Sequence, residues 1–348
     1  MKKECNDISM EMLDLYDGNA IFGFSKIAMK CGLGNTSNVY HYTDIGGFIS
    51  IMQNRELWAS HIYFMNDKSE YHHGKEMYQS TLEKMAKNST DELEKQLYII
   101  VTNSLDNSIS EGFFPVSSQD VFSLSFSHSE DSLEMWRGYG KQSGIAIGFD
   151  MRKFWDGLPG AALIKSESYD HLLDKYDGNP EKVMPEHEQL LLLYNVLYEI
   201  KAKETFIHEI IQYGVDFFKR RYARESQSTL KEAGVFLSNM IFFSIPFFKH
   251  EGFKHEEECR FVDYMENSIK SENIHYRERN GIILPYIKYK IVDRNCRPLR
   301  KLPIEKIVIG PGLNQEKTIE SVKYFLRKSG MSDLEEKVQP SMIPYVSV

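Results

Sequence analysis

Glutamates at 256, 257 and 258 run straight into an apolar strand pattern, Glu258-Cys259-Arg260-Phe261-Val262. Three consecutive carboxylates are ordinary on a solvated surface, but at the mouth of so apolar a strand one of them can be held beside a reacting centre. Glu258 and Arg260 lie two apart, so they share a strand face and can equally pair with each other. A second concentration lies in the stretch from Val121 to Asp150, where Ser123, Ser125 and Ser127 alternate with apolar residues. One face of that strand is apolar and the other small and hydroxylic, fit to line a site. Trp136, Arg137 and the glycine-flanked Tyr139 follow. His41 and Thr43 likewise share a face. A rival grouping is Asp67, Glu70, His72 and His73, which with Glu256 or Glu258 could hold a divalent ion for phosphodiester hydrolysis. No His-x-x-x-His spacing supports it, and the chain has no nucleophile elbow, phosphate-binding glycine loop or GxGxxG.

The elements that must position these residues read as follows. Residues 1–38 form a helical lead-in of low functional content. Val39 to Thr43 is a strand, and Asp44 is the N-cap of a helix from Ile45 to Gln53. Leu57 to His61 is a second strand, and helical sequence runs from about Ser69 to Ser104. Val121 to Phe126 and Gly144 to Phe149 are strands, with a short helix between them. Ala161 to Tyr169 is a further strand, and Tyr176 to Pro180 is a turn. From 181 to 248 the pattern is helical, with Leu190, Tyr194 and Leu197 on one stripe and Phe236, Met240 and Phe243 on another. Strands return at Glu258 to Tyr264, Ile282 to Val292 and Ile304 to Ile309. A glycine-proline turn then leads into a helix from Asn314 to Arg327, and the chain closes with an extended segment from Lys337 to Tyr345. The fold class is α+β, an N-terminal part of the core (39–180) and C-terminal strands (249–348) interrupted by an all-helical insertion (181–248).

The 348 residues are 42% hydrophobic, 13% aromatic and 26% charged, an ordinary globular composition with room for about two domains or one with an insertion. A net charge of −8 argues against a partner held through its phosphate backbone, with Lys219, Arg220, Arg221 and Arg224 as the one basic run that could form a local groove. Cys5, Cys31, Cys259 and Cys296 are too far apart for a metal knuckle. The polar start lacks a signal-peptide pattern, and the longest apolar stretch, Met240 to Phe248, is too short to cross a bilayer. A cytoplasmic protein with reduced thiols is expected.

Four separated pieces carry a resemblance: His41-Tyr42-Thr43 with LWAS and an MND turn after it, the SxSFS…MWRGYG block, FKHEGFKHEEECRFV up to Val262, and the closing IVIGPG…SMIPY. Together they resemble a large bacterial family known as domain of unknown function 2971, over roughly Val39 to Tyr345. Where that family commonly has Glu-x-Glu-Trp-Arg, this chain has Glu256, Glu257, Glu258, Cys259 and Arg260, so the tryptophan is replaced. More loosely, the order of His41, the Ser125, Ser127 and Tyr139 region and Glu258 is similar to the ADP-ribosyltransferase fold, a split β-sheet core.

That second resemblance implies NAD as co-substrate and cleavage of its nicotinamide glycosidic bond, with ADP-ribose passed to a macromolecular acceptor, protein or nucleic acid, or to water. Such enzymes often act as toxins or in antiviral defence. Glu258 would stabilise the oxocarbenium-like centre, with His41 and Tyr139 as its catalytic partners. His41 would also meet the adenosine ribose, with Thr43 on the same face; Trp58, Tyr63 or Tyr139 would stack on nicotinamide, and Arg137 would hold the pyrophosphate. Tyr42, Ser125, Ser127, Glu256 and Arg260 complete the expected cofactor wall. The reading requires His41 and Glu258 to bracket one ribose and face one surface. The competing readings are a catalytically silent sensor or partner-binding module that recognises through the helical insertion, and the metal-dependent nuclease.

Overall fold

A computed structural model describes residues 20–34, 38–64, 69–106, 121–140, 144–151, 161–165, 193–222, 229–264, 274–279, 281–293, 299 and 301–344. The elements, in chain order, are α1 (Ala20–Lys30), β1 (Val39–Asp44), α2 (Ile45–Asn54), β2 (Glu56–His61), α3 (Ser69–Asn88), α4 (Glu92–Asp106), β3 (Val121–Ser127), β4 (Gly144–Phe149), β5 (Ala161–Lys165), β6 (Leu193–Asn195), α5 (Ile200–Tyr222), α6 (Thr229–Ser244), β7 (Glu258–Tyr264), β8 (His275–Arg279), β9 (Ile282–Asp293), β10 (Ile304–Ile309), α7 (Gln315–Lys328) and β11 (Val338–Pro340). The class is α+β. Among the described residues eleven strands form one mixed sheet, in which β10 and β11 pair in parallel and the other strand pairs are antiparallel.

Strand β3 is the centre of that sheet. Its whole length, Val121 to Ser127, pairs with β7 along one edge, from Val121↔Tyr264 to Ser127↔Glu258. The other edge is shared. β1 pairs with it at Tyr40↔Ser127, and β2 pairs with it at Ser60↔Ser123 and His61↔Phe122. Between these contacts β1 and β2 part from β3, so the sheet splits beside Ser125. From β1 it continues through β4 and β10 to β11, and from β2 through β9 to β5.

Each face of β3 seats a different core, as its alternation of serine and apolar side chains requires. Phe122, Leu124 and Phe126 join Cys259 and Phe261 of β7, Ile145, Ile147 and Phe149 of β4, and Val322 and Leu326 of α7. On the opposite face Val121 and Val262 meet the helical layer, where Phe206, Ile210 and Phe218 of α5 interlock with Leu237, Met240 and Ile241 of α6. Helices α1, α3 and α4 contribute to the same core through Phe24, Tyr78 and Val101. The helical layer therefore draws on the chain before residue 181 as well as on the stretch 181–248.

Several expectations need correction. Leu193–Asn195, read as part of a helical stripe, is a strand paired with β7, where Tyr194 lies opposite Arg260. Its alternation serves one turn of sheet as well as it serves a helix, and the partner strand decides. The helical run from 69 is two helices, α3 and α4. Strand β8 was not anticipated, because Tyr276 and Glu278 point out and give its pattern the look of a loop. Asp44 does cap α2: its Oδ1 accepts from the Gly47 N–H at 2.8 Å. Glycine at 47 leaves room for the Thr43 hydroxyl, since a Cβ there would lie 2.0 Å from Thr43 Oγ1 and force that side chain to turn away. The turn expected at Tyr176 to Pro180 lies outside the described residues.

Candidate functional site

A buried charged seam lies where β7 meets the helical layer. Glu258, 5% exposed, accepts from Arg260 Nε at 2.6 Å on Oε1, and on Oε2 from Arg260 Nη2 at 2.7 Å and Lys249 Nζ at 2.9 Å. Lys249 also reaches Glu256 at 2.7 Å. Arg260 donates further to the Pro246 carbonyl, and Lys203 of α5, itself buried, donates to the Lys249 carbonyl. Burial alone would raise the Glu258 pKa, but the Arg260 and Lys249 charges and the bonds from Arg260 outweigh it and hold the carboxyl at about 2. Glu258 is thus neither solvated nor available as a proton donor. Of the acidic run only Glu257 is fully exposed, at a positive φ of 43°.

The second feature is the split. Where β1 leaves β3, His41 turns its ring into the gap and its Nδ1 lies 3.1 Å from the Ser125 carbonyl oxygen. A carbonyl only accepts, so Nδ1 carries the proton, and in the neutral ring Nε2 is an acceptor. Burial pushes the His41 pKa down to about 4, against the pull of the Ser125 carbonyl and with help from Arg277 and Arg279. The imidazole is therefore neutral at pH 7. The Ser125 hydroxyl is buried and makes no short hydrogen bond, but it lies near enough to Glu258 for hydrogen bonding to it to lower the carboxyl pKa further.

The register then sorts the expected residues. Ser60, Ser123, Ser125, Ser127, Arg260 and Glu258 stand on one face, and Trp58, Tyr286, Arg277 and Arg279 extend that face across β2, β9 and β8. Tyr139 joins them, with Arg279 5.8 Å from its ring centroid. Its hydroxyl is pushed up to about 12 by burial and by the carboxylates of Glu256 and Glu258. His41 departs from the expectation. It pairs with Ile147 and its ring meets Phe126 at 5.6 Å, so it stands at the split on the side opposite Glu258, and the two do not form one wall. Thr43 shares that side, against the start of α2.

Three further expectations are corrected. Tyr42 is structural: its ring packs on Trp136 at 4.7 Å, and its hydroxyl donates to the Ser129 carbonyl. Ser127 donates to the Glu256 carbonyl and accepts from the Ser129 N–H, ordering the strand end rather than facing a cleft. Arg137 lies exposed on the turn Trp136–Gly140 rather than in the buried wall expected of it. In the rival metal grouping, His72 and His73 are exposed on α3, while Asp67 and the side chains of Glu70 and Tyr63 lie outside the described residues. Among the described residues no three His, Cys, Asp or Glu side chains are grouped to hold a metal ion. The basic run is engaged between helices, Lys219 with Glu94 of α4 and Arg221 with Glu232 of α6; Arg224 is outside the described residues.

Sequence reasoning missed Lys249, Ser60, Arg277 and Arg279. The only signal for the arginines is the alternation in His275-Tyr276-Arg277-Glu278-Arg279, which sets both on one strand face.

These features define an α+β protein with a split mixed sheet and a buried ionic seam beside the split. Within it, residues 135–261 match the family model described as protein of unknown function (DUF2971), the family that the four sequence motifs resemble. The matched span runs from Met135, beside Trp136, to Phe261 on β7, and so contains Tyr139, Lys249, Glu256, Glu258 and Arg260. No curated protein and no solved structure matches the chain. Among the described residues no helix is long and apolar enough to cross a membrane.

Proposed function

We propose that the protein binds NAD at the split of its sheet and cleaves the nicotinamide glycosidic bond, as an ADP-ribosyltransferase-like enzyme. His41 and Glu258 do not face one surface, so the reading rests instead on the parting of β1 and β2 along one edge of β3 and on ionised Glu258 one strand beyond, on the face that carries the serines. Bond cleavage leaves positive charge on the ribose C1′ and O4′, and nicotinamide departs neutral with the bonding electron pair. A carboxylate that stays ionised at every physiological pH stabilises that charge without proton transfer. A carboxylate offers about four acceptor positions, and three at Glu258 are filled by Arg260 and Lys249. The remaining position is shared with the nearby Ser125 hydroxyl, which also holds the carboxyl pKa down; a ribose hydroxyl takes that place in the bound state. The nucleophile that attacks C1′ from the opposite side is water or a hydroxyl or amine of a macromolecular acceptor, which loses its proton on attack. His41, on the side opposite Glu258, takes no part in this step; its ring ties β1 to the Ser125 carbonyl at the edge of the split.

The test is release of free nicotinamide from NAD by the purified chain, with cell lysate supplied as a source of acceptors. Release is expected for the native chain, with loss in Glu258→Gln and a lesser fall in Ser125→Ala, whose hydroxyl helps hold the Glu258 carboxylate ionised. Absence of release at high protein concentration with lysate present sinks the proposal. A second reading has an observation of its own. Glu258 is as enclosed and as fully paired as a purely structural ion pair, which favours a catalytically silent module that holds the nucleotide without cleaving it.

A further inference from the structure

Two arginines on β8 project from the face that carries the serines, and among the described residues neither forms an ion pair, although the Asp44 charge acts on Arg277 from a distance. Arg277 and Arg279 lie opposite Leu284 and Ile282 in the β8–β9 pairing, and their spacing of two places both on one face. Arg277 lies 5.4 Å from both the Trp58 and Tyr286 ring centroids, and those rings stack at 4.6 Å. Its Nη2 donates to Ser60 Oγ at 2.9 Å, while its Nε is buried with no hydrogen-bond partner. Arg279 lies over Tyr139. Among the described residues neither guanidinium pairs with a carboxylate. Trp58 Nε1 is a second buried donor without a partner, and the Ser123 hydroxyl is orphaned on the same face.

Leaving such groups unmet costs free energy, and the cost recurs at each of them. Burial, and then the neighbouring Arg279 charge, depress the Arg277 pKa, so the two cations repel one another in a partly dry setting. Folding alone gives no reason to hold like charges together beside orphaned donors. A ligand with spread negative charge and several acceptor oxygens resolves all of it at once: it separates the two cations electrostatically, takes the Arg277 Nε and Trp58 Nε1 protons, and lays an aromatic or ribosyl group along Trp58 and Tyr286.

We propose that Arg277 and Arg279, with Trp58 between the strands, bind the diphosphate of a nucleoside diphosphate or dinucleotide. This assigns to β8 the role that the motif reading gave to Arg137, and in its choice of ligand it rests on the NAD-cleaving function proposed above.

The experiment is equilibrium binding of ADP-ribose, ADP and inorganic pyrophosphate to the full chain, carried out at two salt concentrations. Variants are Arg277→Lys, which keeps the charge but not the fork, and Arg279→Met, with Lys301→Met on an exposed surface as control. Thermal unfolding of each variant shows that it is folded. ADP-ribose and ADP are expected to bind, weakening about ten- to a hundredfold in each β8 variant and unchanged in the control, in keeping with the loss of a charge-assisted hydrogen bond. No binding by any of the three probes, or equal binding by the native chain and both folded β8 variants, overturns the proposal. The catalytic reading is separable from it. Arginine-dependent binding of NAD without nicotinamide release leaves the diphosphate site standing and removes the enzyme. Nicotinamide release with an unchanged KM for NAD in both variants does the reverse.

Discussion

Glu258 shows how a single residue can be anionic, buried and stable. Its three bonds to Arg260 and Lys249 exceed the desolvation that burial imposes, so its carboxyl titrates near pH 2 instead of near 4.5. Removing one partner of such a set leaves an uncompensated buried charge, which typically costs about 3–5 kcal/mol, whereas replacing both by apolar groups is often close to neutral. Glu258→Gln is therefore expected to lower unfolding free energy by that amount in urea titrations, while Glu258→Met/Arg260→Met lies nearer the native chain than either single change. Lys249 keeps Glu256 in the double variant. Additive losses would mean that the two side chains do not depend on each other. The same groups set the acid limit. Glu258 has a depressed folded pKa, so its contribution, on the order of 3 kcal/mol, is whole above pH 4.5 and drains away as pH falls toward 2. His41, depressed from 6.5 to about 4, loses its share earlier, between those two values. Stability measured against pH should fall in two stages, and His41→Gln should remove only the upper one; a single stage below pH 4.5 in the native chain would contradict the neutral buried imidazole.

At the scale of elements, the turn after the short helix Leu133–Met135 is fitted to Trp136. Its indole N–H donates to Asp131 Oδ1 at 2.7 Å, and glycines surround the ring. A Cβ on Gly144 would stand 2.4 Å from the Gly140 Cα and 3.1 Å from the indole, and one on Gly310 would stand 2.9 Å from the indole. Gly144→Ala is expected to cost about 1–3 kcal/mol, because backbone cannot yield as a side chain does, and to disturb Tyr139 on the same turn. Denaturant unfolding checks the first and ligand binding the second; a neutral variant would show that the turn moves freely. This region was legible before the structure, because alternating serines and paired glycines announce a strand and a close approach from local pattern alone. The split was not. Nothing in Val39 to Thr43 or Leu57 to His61 says that both strands meet the same edge of β3, a fact about pairing partners far apart in the chain. Nor does local pattern distinguish the face of His41 from that of Glu258. Alternation fixes sides within one strand, and only the Tyr40↔Ser127 and Ser127↔Glu258 pairings relate the two. Leu193–Asn195 and β8 were lost for a related reason, being too short and too polar to outweigh their surroundings without the strand beside them.

On the scale of the whole molecule, β3, β7 and β6 belong to both cores at once. Val121, Val262 and Tyr194 face the helices, while Phe122, Phe261 and Leu193 face the opposite layer. The two layers are joined further by buried charge, through Arg260 to the Pro246 carbonyl and Lys203 to the Lys249 carbonyl. Neither layer can open without stripping apolar surface from the other's strands and leaving cations unpaired, so the free energy of one depends on the presence of the other. Unfolding is expected to be a single cooperative transition despite the length of the chain. The check is chemical denaturation followed by far-ultraviolet circular dichroism, dominated by the helical layer, and by tryptophan emission in a Trp155→Phe background, where Trp58 and Trp136 report on the sheet. Coincident midpoints are expected, moving together in Arg260→Met. If the helical signal is lost at a lower denaturant concentration than the emission, the seam around Glu258 does not couple the layers. The helices would then melt from a sheet that stands without them.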